Sequence, residues 1–293
     1  MSGAIAVLGR GAWGDALAVS LQRAGRTVIC WDRHSDDTVL ADADLVIVAV
    51  PAQATRAVLT RVLGALSPGA ALVLTAKGLE RGSLKRQSEI AAELAPDHRF
   101  AVLSGPGFAA DLTQGLPTAL TLAVVGDGGP MQQRLATDGL RPYLSDDVVG
   151  VELGGALKNV IAIACGVTMG AGLGESARAA LMARGFAEMT RIAVAAGARS
   201  QTLAGLSGLG DLTLTATSEQ SRNYCYGLAL GREGRAPETG TYEGAKTAEA
   251  AKTLSDRLRV EAPITAVTAA LVAGRQSVQE AIEMIMRRPL GRE

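Results

Sequence analysis

Histidine is almost missing from this chain: 293 residues hold two, His34 and His98. Both fall in polar segments beside turn signals, His98 within Pro96-Asp97-His98-Arg99, and both read as surface loop residues. A histidine general acid is therefore not expected. There is no H-E-x-x-H and no metal-ligand cluster, so no metal is expected either. Cysteine is scarce too. Cys30, Cys165 and Cys225 are odd in number, far apart and without a C-x-x-C, which argues against a disulfide framework or a zinc site and for reduced cytosolic thiols. Neither sign of charge is in excess: 29 basic residues face 29 acidic ones. That removes the electrostatic footprint of a nucleic-acid binder. Repeats and low-complexity linkers are also missing. Met1 to Leu8 runs straight into an apolar segment, with no basic n-region and no small-residue cleavage site, so no signal peptide is expected. The most apolar stretch, around Val160–Gly174, is glycine-rich and short for a membrane span. It reads as a buried helix, and the expectation is a cytoplasmic protein without an integral membrane segment.

What is present is a large apolar fraction, 48%, enough for a sizeable core and against disorder. The length allows two domains. Apolar runs of strand length recur in the first half, at Ile5–Leu8, Thr27–Trp31, Leu45–Val50, Ala71–Thr75, Phe100–Leu103 and Leu120–Val125. Segments of helical spacing lie between most of them, such as Ala12–Ala24, Gln53–Leu63 and Leu84–Leu94. Continuous apolar strands alternating with helices indicate a mostly parallel sheet covered on both faces. From Val151 onward the pattern becomes helical, as in Leu153–Cys165, Ala177–Ala196, Ala245–Arg257 and Thr265–Ala273. The fold expected is an α/β Rossmann domain, doubly wound, over residues 1–148, followed by an all-α domain over 149–293.

Gly9-Arg10-Gly11-Ala12-Trp13-Gly14 follows the first strand and opens a helix, which is G-x-G-x-x-G in its required context. Gly9 permits the tight turn, Gly11 lets a pyrophosphate approach the backbone, and Gly14 allows close helix packing. The helix N-terminus then offers N–H groups to the phosphates. The second strand ends at Trp31-Asp32-Arg33-His34. An acidic residue here holds the ribose of NAD, whereas an arginine accommodates the phosphate of NADP; Asp32 and Arg33 point in opposite directions, and solvated loop charges are the alternative.

Carbonyl reduction needs a proton donor for the developing alkoxide, and lysine serves where burial or another cation lowers its pKa. Lys77 should lie at the carboxyl end of a parallel strand, where open α/β sheets bind ligands. Lys158, in Gly154-Gly155-Ala156-Leu157-Lys158-Asn159, lies in an otherwise apolar helix; a snorkelling surface lysine is the alternative. Asp211, in Gly205-Leu206-Ser207-Gly208-Leu209-Gly210-Asp211-Leu212, is either the partner of a buried lysine or a helix cap. Ser221-Arg222-Asn223 can open a helix running toward Leu230 and suits a phosphate dianion, or is an ordinary capped surface helix.

Together these segments resemble the bacterial-type NAD(P)-dependent glycerol-3-phosphate dehydrogenase family. The resemblance rests on GRGAWGDALA from Gly9, AKGLE from Ala76, SGPGFA from Ser104, GLPTA from Gly115 and GVELGGALKNVIAIACG from Gly150. It continues through ARAALMARGFAEM from Ala177, GLSGLGDLTLT from Gly205, QSRNYCYG from Gln220 and APIT from Ala262. The combination of GGALKN, GLGDL and QSRN carries the specificity. The resemblance implies interconversion of sn-glycerol 3-phosphate and dihydroxyacetone phosphate, supplying glycerol backbone for phospholipids, in a cleft between a Rossmann and a helical domain. It implies Lys158 as acid/base, Lys77 in contact with substrate and cofactor, and Asp211 orienting the lysine end. It further implies Ser221, Arg222 and Asn223 on the substrate phosphate, with Arg222 also near the cofactor, and Gly105 and Gly107 shaping the substrate loop. Gly9, Gly11, Ala12, Trp13, Gly14, Arg33, Ala109 and Glu243 would line the cofactor. The cofactor expected is NAD or NADP, with NADPH slightly favoured by Arg33, His34 and Arg10; a homodimer is left open. Three departures stand out: Arg10 and Gly107 replace commoner residues, and the stretch from Arg33 to Asp44 is short. Another two-domain β-hydroxyacid-type dehydrogenase, or a non-catalytic NAD(P)-binding redox sensor, are the rival readings.

Overall fold

A computed structural model of the chain describes residues 3–237 and 239–286; the last seven residues of the second expected domain lie outside the described residues. Strands β1 (Ala4–Leu8), β2 (Val28–Trp31), β3 (Ala43–Val48), β4 (Ala71–Leu74), β5 (Phe100–Ser104), β6 (Thr118–Val124) and β7 (Leu140–Ser145) form one sheet in the order β2-β1-β3-β4-β5-β6-β7. Every pairing is parallel except β5 with β6. Helices α1 (Ala12–Arg23), α2 (Thr55–Val62), α3 (Gln87–Leu94), α4 (Ala109–Gln114) and α5 (Gly129–Leu135) cover it. The strands read as unbroken apolar runs because both faces are buried. Ile5 and Val7 of β1 pack with Leu17 and Leu21 of α1 on one side. Ala6 and Leu8 pack on the other, in the cluster that holds Leu59 of α2 and Ile90 of α3.

Two differences from the sequence reading concern the sheet domain. Strand β7 has no apolar run to announce it: in Leu140-Arg141-Pro142-Tyr143, the first and third residues are buried and the others exposed. Its Pro142 is tolerated because β7 is an edge strand. Helix α3 starts at Gln87 rather than Leu84, because Leu84 adopts a left-handed conformation, φ 61°, inside a loop closed by Leu84 N–H to Glu80 O and Glu80 N–H to Lys85 O.

The short stretch after β2 contains turns and one 3₁₀ segment, Asp37–Asp42, so β2 is left at the sheet edge. Arg61 of α2 closes it from above. Its guanidinium donates to Arg33 O, Ser35 O and the Asp37 carboxylate and lies 4.8 Å from the Trp31 ring centroid. The Trp31 indole N–H donates to the same Asp37 at 2.9 Å.

The helical part follows: α6 (Val148–Gly170), α7 (Gly174–Ala195), α8 (Ser200–Leu203), a π-turn over Leu206–Gly210, α9 (Asp211–Ala216), α10 (Arg222–Glu233), α11 (Glu243–Arg257), α12 (Pro263–Val272) and α13 (Val278–Met286). Helix α6 is apolar on all sides because the others pack around it. It is long and apolar enough to cross a membrane, yet 89% of its most apolar window is buried inside the protein. Its first turn, at Val148 and Val151, is shared with the sheet's core. Glycines let α6 and α10 touch backbone to backbone: a Cβ on Gly166 would lie 2.2 Å from Tyr224 O, and one on Gly227 would lie 2.0 Å from Ile163 O. That contact fixes where the N-terminus of α10 points relative to α6.

Candidate active site

Strand order reverses between β1 and its neighbours β2 and β3, so the carboxyl ends of β1 and β3 bound a crevice. The glycine loop fills its rim. Gly9 has φ +108°, and a Cβ on Gly14 would fall 2.0 Å from Gly9 O. Neither position accepts a side chain. A Cβ on Gly11 meets nothing within 4 Å: this glycine faces open space at the start of α1, the kind of cradle a pyrophosphate fills. Ala12 is exposed there, and Trp13 reaches across to the loop after β5, its ring 3.4 Å from where a Gly107 Cβ would be. Ala109 opens α4 and is partly buried against the same sheet face. Arg10 is drawn sideways to Asp15 at 2.6 Å.

The lysines and Asp211 meet at the other side of this crevice. Lys77 follows β4, Lys158 lies mid-way along α6, and Asp211 opens α9. Asp211 Oδ2 accepts from Lys77 Nζ at 2.6 Å and Oδ1 from Lys158 Nζ at 2.8 Å. Asp211 therefore partners both lysines rather than capping its helix. Lys158 is 5% exposed and Asp211 1%, so the surface-lysine alternative does not apply. Burial holds the Lys158 ammonium at a lowered pKa of about 8; Asp211 opposes this and the neighbouring charge of Lys77 adds to it. Burial pushes the Asp211 carboxyl up, but the two ammonium groups outweigh it and keep it below its ordinary value. Lys77 also donates to Gly105 O at 2.9 Å. Gly105 itself has φ +147°, and a Cβ on Gly107 would fall 2.9 Å from Thr118 Cγ2, so the loop that carries these carbonyls requires glycine at both points. Gly155 serves the lysines directly: its Cβ would lie 2.6 Å from Ser104 Oγ and 3.4 Å from Lys77 Cγ.

Two side chains here escaped the sequence reading. Thr215 Oγ1 accepts from Lys158 Nζ at 2.6 Å and lies 3.2 Å from Asp211 Oδ1. The i, i+4 spacing of Asp211 and Thr215, which puts both on one helix face, was the available signal. Asn159 donates to Lys77 O at 3.3 Å; its only signal was adjacency to Lys158.

Ser221, Arg222 and Asn223 form the N-terminus of α10, whose helix runs past Leu230 to Glu233. Ser221 Oγ accepts from Tyr224 N–H at 3.2 Å, the capping expected of it. Asn223 Oδ1 accepts from Gly244 N–H at 3.0 Å, and a Cβ on Gly244 would lie 2.6 Å from Asn159 O. So α6, α10 and α11 meet beside Lys158. Arg222 is exposed. Glu243, at the start of α11, is pushed up by burial and drawn back by Lys246, an Ala52 N–H and Arg222. Its Oε2 is buried without a hydrogen-bond partner among the described residues, and a Cβ on Gly78 would sit 3.1 Å from it. An orphaned carboxylate oxygen in the crevice is what a cofactor's donor group would satisfy.

The structure does not bring Arg33 into this cluster. Arg33 is exposed beyond β2 and donates to His34 Nε2 at 3.0 Å. The Asp32 carboxylate accepts from His34 N–H at 2.9 Å and Ser35 Oγ at 3.1 Å; these bonds hold its pKa below the ordinary value. His98 bonds Ala70 O, just before β4, at the end of the sheet opposite the crevice.

The family profile described as NAD-dependent glycerol-3-phosphate dehydrogenase N-terminus matches residues 4–39 and 36–127, and the one described as its C-terminus matches 147–283. The chain belongs to the NAD-dependent glycerol-3-phosphate dehydrogenase family. It is 48% identical to a glycerol-3-phosphate dehydrogenase [NAD(P)+] of Cereibacter sphaeroides, over 99% of this chain and 100% of that one. It is 46% identical to the protein of the same name in Paracoccus denitrificans, over 99% of each. The crystal structure of glycerol-3-phosphate dehydrogenase from Coxiella burnetii superposes with a TM-score of 0.92 at 32% identity, covering 98% of this chain and 99% of that one.

Proposed function

We propose that this chain interconverts sn-glycerol 3-phosphate and dihydroxyacetone phosphate with NAD(P)H, residues 1–148 serving as the dinucleotide-binding domain and 149–293 as the substrate domain. The observation that carries the reading is the chain Lys77–Asp211–Lys158–Thr215, which places a buried ammonium of pKa about 8 beside a glycine-lined crevice. When bound, the nicotinamide supplies or accepts the hydride at the carbinol carbon. In ketone reduction, Lys158 donates a proton from Nζ to the oxygen on which charge develops. Its pKa near the working pH suits it both to give that proton and to take it back in alcohol oxidation. Asp211 and Thr215 hold the Nζ in place and leave one of its three protons for the substrate. Lys77, drawn toward Gly105 O and Asp211, presents a second positive charge to the same oxygen.

The guanidinium of Arg222, the Ser221 hydroxyl and the Asn223 amide N–H groups form the phosphate end of the substrate site, at a helix N-terminus that favours an anion. Gly9, Gly11, Ala12, Trp13 and Gly14 hold the pyrophosphate side of the cofactor, Ala109 and Glu243 the nicotinamide side, and Arg33 the adenosine side, with NADPH slightly favoured. Placement in the cytoplasm and a role in supplying phospholipid backbone belong to the same reading. The test is a steady-state assay of purified protein with dihydroxyacetone phosphate and each reduced cofactor. Cofactor oxidation dependent on that ketone is expected; tight cofactor binding with no ketone-dependent oxidation would sink the reading.

A further inference from the structure

The loop that delivers Lys77 has almost no backbone partners of its own. Thr75 N–H still reaches Val48 O, and Glu80 N–H closes onto Lys85 O. Between them, among the described residues, the carbonyls of Lys77, Gly78 and Leu79 accept from no backbone N–H. Three side-chain amides take them instead, one each in register. Asn159 Nδ2 donates to Lys77 O at 3.3 Å, Gln87 Nε2 to Gly78 O at 2.9 Å, and Gln53 Nε2 to Leu79 O at 2.7 Å. Gln53 also accepts Arg81 N–H at 3.0 Å, so one amide grips the loop at two points. Three elements contribute: α6, the first turn of α3, and the 3₁₀ turn before α2. Gln87 is 2% exposed, and its Oε1 is buried with no partner among the described residues. A buried amide half satisfied costs stability, so packing alone would favour an apolar residue of similar shape at this position.

We propose that Gln87 and Gln53 are positioning residues that set the direction of Lys77 through the backbone of residues 77–79. A buried carbonyl left without a donor turns toward any donor it can reach. Turning at Gly78, next to Lys77 and free of side-chain restraint, would swing the Lys77 side chain away from Asp211 and Gly105. The consequence passes to Lys158. The charged groups acting on it are Asp211 of α9 and Lys77. Arg222 and Glu243, at the near ends of α10 and α11, act on one another, and Glu188 of α7 accepts the N–H groups of Ile264 and Thr265. Withdrawing the Lys77 charge removes a repulsion and leaves Asp211 to Lys158 alone. Both changes raise the pKa of Lys158.

The inference rests on the function proposed above, and turnover of dihydroxyacetone phosphate by the unaltered protein tests that function by itself. The test of the present inference is a double-mutant cycle of Gln87→Met, and separately Gln53→Met, with Lys77→Ala. In the unaltered background each substitution should lower kcat/KM for the ketone by roughly 10- to 100-fold. The alkaline limb of the reduction profile should move up by about half a pH unit or more. With Lys77→Ala the same substitutions should cost less than about twofold, because nothing remains to be aimed. An equal loss in both backgrounds, an unmoved alkaline limb, or unaltered kcat/KM in both variants overturns the proposal. So does loss of folding in both, read by circular dichroism, since the amides would then hold the fold and not Lys77.

Discussion

Asp211→Asn separates charge from shape at the centre of the site. The amide keeps the volume of the carboxylate and can still accept one hydrogen bond, but it no longer neutralises two ammonium groups whose Nζ atoms lie 2.6 and 2.8 Å from its oxygens. Lys158 then has burial and the Lys77 charge pushing its pKa down and no opposite charge pushing it up. Unit charges about 4 Å apart interact by about 4 kcal/mol at an effective dielectric near 20. The residual dipole of asparagine and relaxation of Lys77 return part of that. A fall of at least about one pH unit from the starting value of about 8 is therefore expected. Reduction requires Lys158 protonated, so its alkaline limb should move to lower pH. Oxidation requires Lys158 neutral, so its acid limb should move the same way. The assay is kcat against pH in both directions, with cofactor binding measured alongside to show that the fold persists. An alkaline limb that stays in place, in a variant that still binds cofactor, would falsify the assignment of that limb to Lys158.

Lys158→Ala should remove about 10²–10⁴-fold of turnover while leaving the Kd for cofactor nearly unchanged; retention of most of the turnover would hand the proton to another group. Arg222→Ala should cost about 1.5–3 kcal/mol of substrate binding, read as KM for dihydroxyacetone phosphate, and unphosphorylated dihydroxyacetone should be a very poor substrate for the unaltered enzyme. Comparable kcat/KM for the two ketones would remove the phosphate site from α10. Gly14→Ala places a methyl group 2.0 Å from Gly9 O, an overpacking of about 1–3 kcal/mol that should weaken cofactor binding about tenfold or more in a titration; unchanged binding would mean the loop moves freely. Arg33→Ala should lower efficiency with NADPH more than with NADH, because a guanidinium suits a phosphate better than a ribose diol. An equal loss would shift the argument to Asp32.

Much of this was legible because burial leaves a periodic mark. Ile5–Leu8 and Leu45–Val50 announce buried parallel strands, and the glycine loop announces a crevice at the end of the first. Strand β7 left no such mark, since an edge strand carrying a proline and three exposed residues looks like loop. The pairing of Asp211 with both lysines joins positions 134 and 53 residues apart, a distance over which no local pattern speaks. Thr215 was findable from its spacing to Asp211. Gln53 and Gln87 were not, because an amide that holds a backbone carbonyl has no sequence signature apart from the loop it holds.

The short stretch after β2 is held in place by a few contacts. An edge strand followed only by turns leaves unpaired carbonyls and the Trp31 ring open to solvent or in need of cover. Arg61 answers both needs at once: its planar fork meets two carbonyls and the Asp37 carboxylate, and its face lies over the indole. Arg61, with Leu59 and Val62 of the same helix α2, buries Trp31. The same contacts constrain the far end of the crevice, since Arg33 O and Ser35 O belong to the turn that carries Asp32, Arg33 and His34. Arg61 therefore stiffens the turn at this end of the crevice and leaves the Arg33 side chain exposed.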